Sequence, residues 1–483
     1  MSLFAEEADE KESAPPVTEE RVQTHHQIRL GDREIAYTAT AGTLPLSMKD
    51  GKVQAAMFYV SYTKEASDDN LDESRKRPIT FCFNGGPGAA SVWLHMGVFG
   101  PKRVLIDPEN VAPPYTVVDN IYSLLDVTDL IFIDPISTGF SKAVPGEDPK
   151  QFHGVDEDVQ SIAEFIRLWT SKNQRWDAPK YLAGESYGTL RAASLALKLH
   201  DQEFYYLDGI ILISSLLTYQ SVLADEANDL PYILFFPTYT TTAWYHHKLP
   251  EELQSDLEKA RKEAEDFALN ELGPALLKGD LLEEAERQEL IKKMARLTGL
   301  SETYIDRANL RVPQHRFCKE LLRNEGRTVG RMDSRFLGFD SDLNGCNFEY
   351  DPSMEVMSGA FSASFNQYIR ADLKWDKSEG YKLLADVFPW NWGKASNSYY
   401  GVGSQLREAM AKNPNLKIFV ASGYFDLATP YCISKYTFNH LNLVPALKKN
   451  LTLRYYDAGH MMYIYEPALI QLKRDLAEFY KGK

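Results

Sequence analysis

The segment Gly184-Glu-Ser-Tyr-Gly188 sets a serine between two glycines, after an apolar stretch and ahead of a helix-like one. This Gly-x-Ser-x-Gly spacing suits a nucleophile elbow, a sharp strand-to-helix turn with no room for side chains beside a strained serine. Such a turn lifts the Ser186 hydroxyl above the sheet edge. A serine hydroxyl attacks poorly until a base takes its proton, and that base needs an acid to orient it. On sheets with such an elbow the partners come later in the chain, acid before histidine, each on a loop after a strand. Asp426 and His460 stand in that order. Asp426 closes Gly423-Tyr-Phe-Asp426 behind the apolar run 417–422, and His460 closes Asp457-Ala-Gly-His460 behind 451–456. Of the rivals, Asp457 lies three residues from His460 and serves the turn, whereas Asp134 and His95 precede the serine.

Acyl chemistry also needs donors for a developing oxyanion. Asn84-Gly-Gly-Pro-Gly88 directly follows the apolar run 79–83, and its glycines let the backbone approach a substrate unobstructed. The N–H of Gly86, with that of Tyr187 behind the serine, would form the oxyanion hole. A plain Gly/Pro turn is the bland alternative. The loop lacks the lysine of a phosphate-binding loop, which leaves a nucleotide site a weak reading.

Placing these residues together calls for a particular frame. Short apolar runs at 79–83, 130–134, 181–184, 209–214, 417–422 and 451–456 have the texture of parallel strands covered on both faces by helices. Val159, Ile162, Ile166 and Trp169 recur at helical spacing between two of them. Upstream, 27–40 and 53–62 alternate as half-buried antiparallel strands do. From 218 to 394 the chain turns mostly helical and polar, with 250–270 and 280–298 rich in Glu, Lys, Arg and Ala and a helix start at Ser301. The expected organisation is α/β with a mostly parallel central sheet. An acidic disordered tail (1–24) precedes the first part of the core (25–217). A mostly helical cap (218–394) is inserted before the second part (395–483). The aromatic run 232–245 reads either as packed cap interior or as a substrate-facing wall.

Bulk properties remove several function classes. The chain has 483 residues, 44% hydrophobic and 25% charged, as ordinary globular proteins do. A net charge of −15 argues against a nucleic-acid partner. No run approaches the ~18 apolar residues of a membrane span. Residues 1–22 carry neither the basic nor the apolar part of a signal peptide, so the protein is cytosolic or its signal was removed. Cys82 sits in an apolar run as a packed thiol. Cys318, Cys346 and Cys432 have no metal-like spacing, and a Cys318–Cys346 disulfide is left open. No metal or cofactor is expected.

Five motifs in order carry a family resemblance: Asn84-Gly-Gly-Pro-Gly88, Ile136-Ser-Thr-Gly-Phe-Ser141, Gly184-Glu-Ser-Tyr-Gly188, Ser422-Gly-Tyr-Phe-Asp426 and Ala458-Gly-His-Met461. Over 77–219 and 395–467 the chain resembles the serine carboxypeptidases, in a bacterial-type form, with the α/β-hydrolase fold that this implies. By that resemblance Ser186, Asp426 and His460 would be the triad, and Gly86 and Tyr187 the oxyanion hole. Asn84 and Glu185, with Met461, would bind substrate, Glu185 partly protonated to donate to a free C-terminal carboxylate. The chain departs from the pattern in three places. Val98 stands where many members carry a second glutamate, Ala89-Ala90 replaces a cysteine-serine pair, and Met462-Tyr-Ile-Tyr-Glu-Pro467 follows Met461.

The function expected is hydrolysis of C-terminal peptide bonds through an acyl-enzyme, with a peptide bearing a free C-terminus as partner. An esterase or acyltransferase using the same triad, without need of the carboxylate, is the alternative that Val98 keeps open. A binding protein with a silent triad is a third. Two carboxylates facing each other repel once both are ionised, so the loss of one implies a weaker acid preference. Secretion or a periplasmic location follows from the resemblance, and the oligomeric state is open, a homodimer included.

Overall fold

Alternation in the N-terminal region produces an antiparallel meander: β1 (Glu20–Leu30), β2 (Arg33–Leu46) and β3 (Ala55–Lys64). The computed structural model describes residues 18–48, 51–66, 75–106, 112–395 and 397–482. The stretch 27–40 is not one strand. It crosses a two-residue hairpin at Gly31-Asp32, where Leu30 pairs with Arg33 and Gly31 takes φ 61°, as the first central residue of a type II′ turn must. The expected disordered tail 1–24 is likewise corrected at its end. Residues 20–24 are part of β1, paired with residues 39–43 of β2, while 1–17 lie outside the described residues.

The six apolar runs become β4 (Ile79–Phe83), β5 (Asp129–Ile133), β6 (Lys180–Glu185), β7 (Gly209–Ile213), β8 (Lys417–Gly423) and β9 (Leu451–Tyr456). The sheet runs β1-β2-β3-β5-β4-β6-β7-β8-β9, with Lys142–Ala143 added beside the start of β3. From β5 to β9 all neighbours are parallel, while β5 meets β3 antiparallel. Both faces are buried. Leu130 and Phe132 of β5 enter one apolar cluster, Ile131 and Ile133 the other, and Ile211/Ile213 against Ile210/Leu212 repeat this along β7. The two-residue period of a strand sends its side chains to opposite sides.

Helices cover these faces. Against one lie α1 (Val155–Lys172) and α2 (Tyr187–Glu203), with Val159, Ile162, Ile166 and Trp169 of α1 inward. Within 218–394, the all-round apolar α3 (Leu230–Tyr245) packs with α4 (Leu257–Phe267) and α5 (Glu284–Thr298) around Leu234, Phe236, Phe267 and Leu290 in a separate cluster. The same cluster takes in Leu427, Tyr431 and Ile433 beyond β8. By contrast α6 (Pro352–Ala371) inserts Phe361, Phe365 and Tyr368 into the cluster holding Trp93 and Phe132 beneath the sheet. The segment 218–394 thus packs in two places rather than as one layer. In the last crossovers α7 (Gly403–Lys412) precedes β8 and α8 (Tyr431–Asn439) joins β8 to β9, and α9 (Glu466–Tyr480) follows β9. The four cysteines are free thiols. Cys318 is buried, its Sγ accepting from Gln314 Nε2 at 3.3 Å, and Cys346 is exposed, so the disulfide left open between them is not formed.

Candidate active site

β6 ends at Glu185 and α2 begins at Tyr187, with Ser186 between them at φ 58°, ψ −127°. A non-glycine residue held there costs on the order of 1–3 kcal/mol and persists only when its surroundings fix it. Here the Ser186 N–H donates to Ile213 O (3.0 Å), and Ser186 O accepts from the Thr189 N–H (2.9 Å) and Thr189 Oγ1 (2.6 Å). The flanking glycines are required by close approach. A Cβ on Gly184 would lie 2.2 Å from Gly188 O, and one on Gly188 would lie 2.7 Å from Phe83 O.

The loops after β8 and β9 bring Asp426 and His460 together. Asp426 Oδ1 accepts from the N–H groups of Ala428 (2.7 Å) and Thr429 (2.9 Å). Its Oδ2 accepts from Thr429 Oγ1 (2.8 Å) and stands 2.8 Å from His460 Nδ1. Both side chains are fully buried. Burial alone would raise the Asp426 pKa and lower that of His460. The mutual attraction and hydrogen bond prevail, so Asp426 is held below the usual carboxylate range and His460 above 6.5. With Nδ1 engaged, Nε2 is the nitrogen left for chemistry. Among the described residues it has no hydrogen-bond partner, Ser186 included; such bonds commonly tighten only around substrate. The histidine loop is clamped from a distant segment. The His460 N–H donates to Met332 O (2.6 Å), Ser214 Oγ donates to His460 O (2.5 Å), and the Gly459 N–H donates to Asp333 Oδ2 (3.1 Å).

The glycine loop presses on the elbow. A Cβ on Gly85 would lie 2.4 Å from Tyr187 N, and Gly86 takes φ 99°. Among the described residues neither the Gly86 nor the Tyr187 N–H has an acceptor, and the latter opens a helix, where backbone donors are left free. The loop is anchored behind by Arg191, whose Nη1 donates to Asn84 O (2.6 Å) and whose Nε donates to Asp158 Oδ2 (2.7 Å), all buried. Breaking such a pair leaves an uncompensated buried charge. Arg191→Met is therefore expected to lower stability by about 3–5 kcal/mol, read as an earlier midpoint in urea denaturation. On its other side the loop bonds the segment after α6: Ala90 N–H to Leu383 O (2.9 Å) and Ala385 N–H to Gly88 O (2.8 Å).

Asn84, Gly86, Glu185, Ser186, His460 and Met461 line one cavity of about 500 Å³. Asp426 lies behind His460, bonded to its Nδ1, and neither Asp426 nor Tyr187 lines the cavity itself. Glu185 is buried, and that burial pushes its carboxyl up to about 7 against the lowering influence of His460 and of a hydrogen bond from Tyr463. The remaining candidates lie elsewhere. Asp457 pairs at the surface with Arg261, Asp134 accepts from Ser91 N–H and Tyr381, and His95 Nε2 meets Tyr62 in the core. Of the aromatic run 232–245, Phe235 reaches the cavity, while Phe236 and Tyr239 are cap interior. Sequence reasoning missed Thr429, Met332 and Tyr463. Thr429 had a signal, a hydroxyl three residues beyond Asp426, whereas Met332 acts through its carbonyl and had none.

The sequence model of Peptidase_S10, serine carboxypeptidase, matches residues 36–466. The chain belongs to this family. Similarity to individual members is distant. Serine carboxypeptidase-like 13 of Arabidopsis thaliana is 27% identical over 35% of this chain and 40% of its own length. The lysosomal protective protein of Mus musculus is 26% identical over 39% of this chain and 36% of its own. The matched stretches thus span well under half of these relatives. A prohormone-processing carboxypeptidase of Saccharomyces cerevisiae, KEX1ΔP, shares the fold of this family member at a TM-score of 0.54, with 16% identity over 92% of this chain and 91% of that one. Central sheet and surrounding helices are those of an α/β hydrolase. Among the described residues no helix is long and apolar enough to cross a membrane, and no group of three or more His, Cys, Asp or Glu is placed to hold a metal ion.

Proposed function

We propose that this family member is a serine carboxypeptidase in activity, releasing C-terminal amino acids from peptides. Ser186 Oγ attacks the last peptide carbonyl while His460 Nε2 takes its proton, and the N–H groups of Gly86 and Tyr187 receive the oxyanion. The C–N bond breaks as His460 returns the proton to the leaving amine. Water then repeats the sequence on the acyl-enzyme, restoring Ser186. Asp426 keeps the proton on Nδ1 and stabilises the imidazolium. Asn84 and Glu185 receive the substrate's terminal carboxylate, with Met461 against its side chain. A secreted or periplasmic location is part of the same reading.

The observation that carries this reading is Glu185, a buried carboxyl one residue from the nucleophile and lining the same cavity. Ionised, it would repel a carboxylate; protonated, it donates a hydrogen bond to one. With its pKa at about 7 the protonated form is present in mildly acidic and neutral solution. An N-blocked peptide and its C-terminal amide test it. The free acid is expected to be the better substrate by at least tenfold in kcat/KM at pH 6, and equal rates would favour an esterase or acyltransferase. The pH dependence has a definite sign. His460 must be neutral, so rate rises through its pKa above 6.5, whereas Glu185 must be protonated, so free-acid binding fades above about 7. Free-acid peptides are expected to give a bell, and amides only its rising limb.

A further inference from the structure

Glu185 has two oxygens with different surroundings. Oε2 accepts from the Tyr463 hydroxyl at 2.6 Å, within the buried interior. The Asn84 carboxamide lies beside the carboxyl as a second donor that lowers its pKa, and Glu185 lines the cavity. Tyr463 belongs to the short turn Met462–Ile464 directly behind Met461 and is fully buried. Its ring occupies a slot that exists because residue 97 is glycine. A Cβ there would fall 2.3 Å from Tyr463 Cε2. The neighbouring Val98 is buried in the apolar cluster and brings no polar group to Glu185. The charged or titratable groups facing Glu185 are therefore His460, Asp426 and Tyr463, with the Asn84 carboxamide beside it.

We propose that Tyr463 is a specificity-determining residue, whose hydroxyl holds Oε2 of Glu185 and leaves Oε1 as the oxygen that meets a substrate's terminal carboxylate. The assignment rests on the carboxypeptidase reading above. Its logic is one of proton placement. The buried phenol stays protonated, since burial and the nearby Glu185 raise its pKa well above 10. It therefore donates to Oε2 in both states of Glu185. The titrating proton is then best placed on Oε1, where it can be donated into the cavity. A phenol also adds no second negative charge, so the substrate carboxylate meets one acid and not two. Gly97 and Tyr463 together thus provide, from the other side of the loop, the polar partner for Glu185 that position 98 does not supply.

The test uses the free-acid peptide and its amide with wild type, Tyr463→Phe, Glu185→Gln and the double variant from pH 5 to 9. A hydrogen bond to the charged form lowers a carboxyl pKa, so removing it raises that of Glu185. Tyr463→Phe is expected to move the alkaline limb of free-acid binding upward by about one pH unit. At pH 5, where Glu185 is protonated in both proteins, KM rises roughly tenfold through lost orientation, and the effect falls on KM rather than kcat. Glu185→Gln abolishes the limb, and adding Tyr463→Phe to it moves nothing further. If the phenylalanine variant does not fold, Gly97→Ala, which drives a methyl into the ring, must produce the same shift. A wild type that prefers the free acid, with a limb unmoved in Tyr463→Phe, overturns the role of Tyr463 alone. A wild type indifferent to the terminal carboxylate overturns the carboxypeptidase reading itself.

Discussion

Ser186→Ala is expected to lower kcat on a blocked peptide by roughly 10⁶-fold, the scale on which loss of a triad nucleophile acts. The Ser186 hydroxyl is the group at the elbow proposed to form the acyl-enzyme, and Thr189 Oγ1, three residues on, donates its one proton to the Ser186 carbonyl. What survives should come from the oxyanion donors and substrate binding alone. The fold should be unaffected, because alanine takes the same backbone conformation at the same cost. Two measurements check this: steady-state hydrolysis, and labelling by a serine-directed phosphonate, which the variant should not accept. Full labelling of the alanine protein would place the nucleophile elsewhere.

Asp426→Asn should cost about 10⁴-fold in kcat, with a cause that can be read separately from the rate. The N–H groups of Ala428 and Thr429 point at Oδ1, so an asparagine would set its oxygen there and turn its amide NH₂ toward His460 Nδ1. The imidazole would then carry its proton on Nε2 and could not accept one from Ser186. Losing the carboxylate also removes what raises the His460 pKa. The rising limb of activity should therefore move to lower pH while the plateau falls. A fall in plateau with an unmoved limb would mean that Asp426 only packs the loop and another group orients the base.

Much of this site is local, and so legible in the chain. Gly184 and Gly188 are forced by backbone approach within a few residues of Ser186 and across one strand pair. Asp426 and His460 were marked by the apolar runs before them, because parallel strands present the loops at one end of the sheet to a common site. The hairpin at Gly31-Asp32 was missed because polar alternation continues smoothly through a two-residue turn. The division of 218–394 was missed because amphipathic spacing shows that a helix has an apolar face but not which layer receives it. Only packing assigned α6 to the cluster under the sheet and α3 to the cap.

Tyr463 marks the boundary between the two kinds of information. Sequence alone registered that the residues after Met461 depart from the family pattern and that Val98 removes a carboxylate, as two unrelated facts. Tertiary structure joined them: the Tyr463 ring lies over Gly97 and its hydroxyl meets Glu185, 278 positions away in the chain. By itself the sequence determined the sheet, the elbow and the residues proposed as nucleophile, base and acid, since these follow from periodicity and from steric demands among near neighbours. The clamp of Met332 on His460, the anchor of Arg191 on Asn84 and the phenol that holds Glu185 were decided only in three dimensions. Each depends on which distant surface fills the space beside a buried polar group, and short-range spacing carries no record of that.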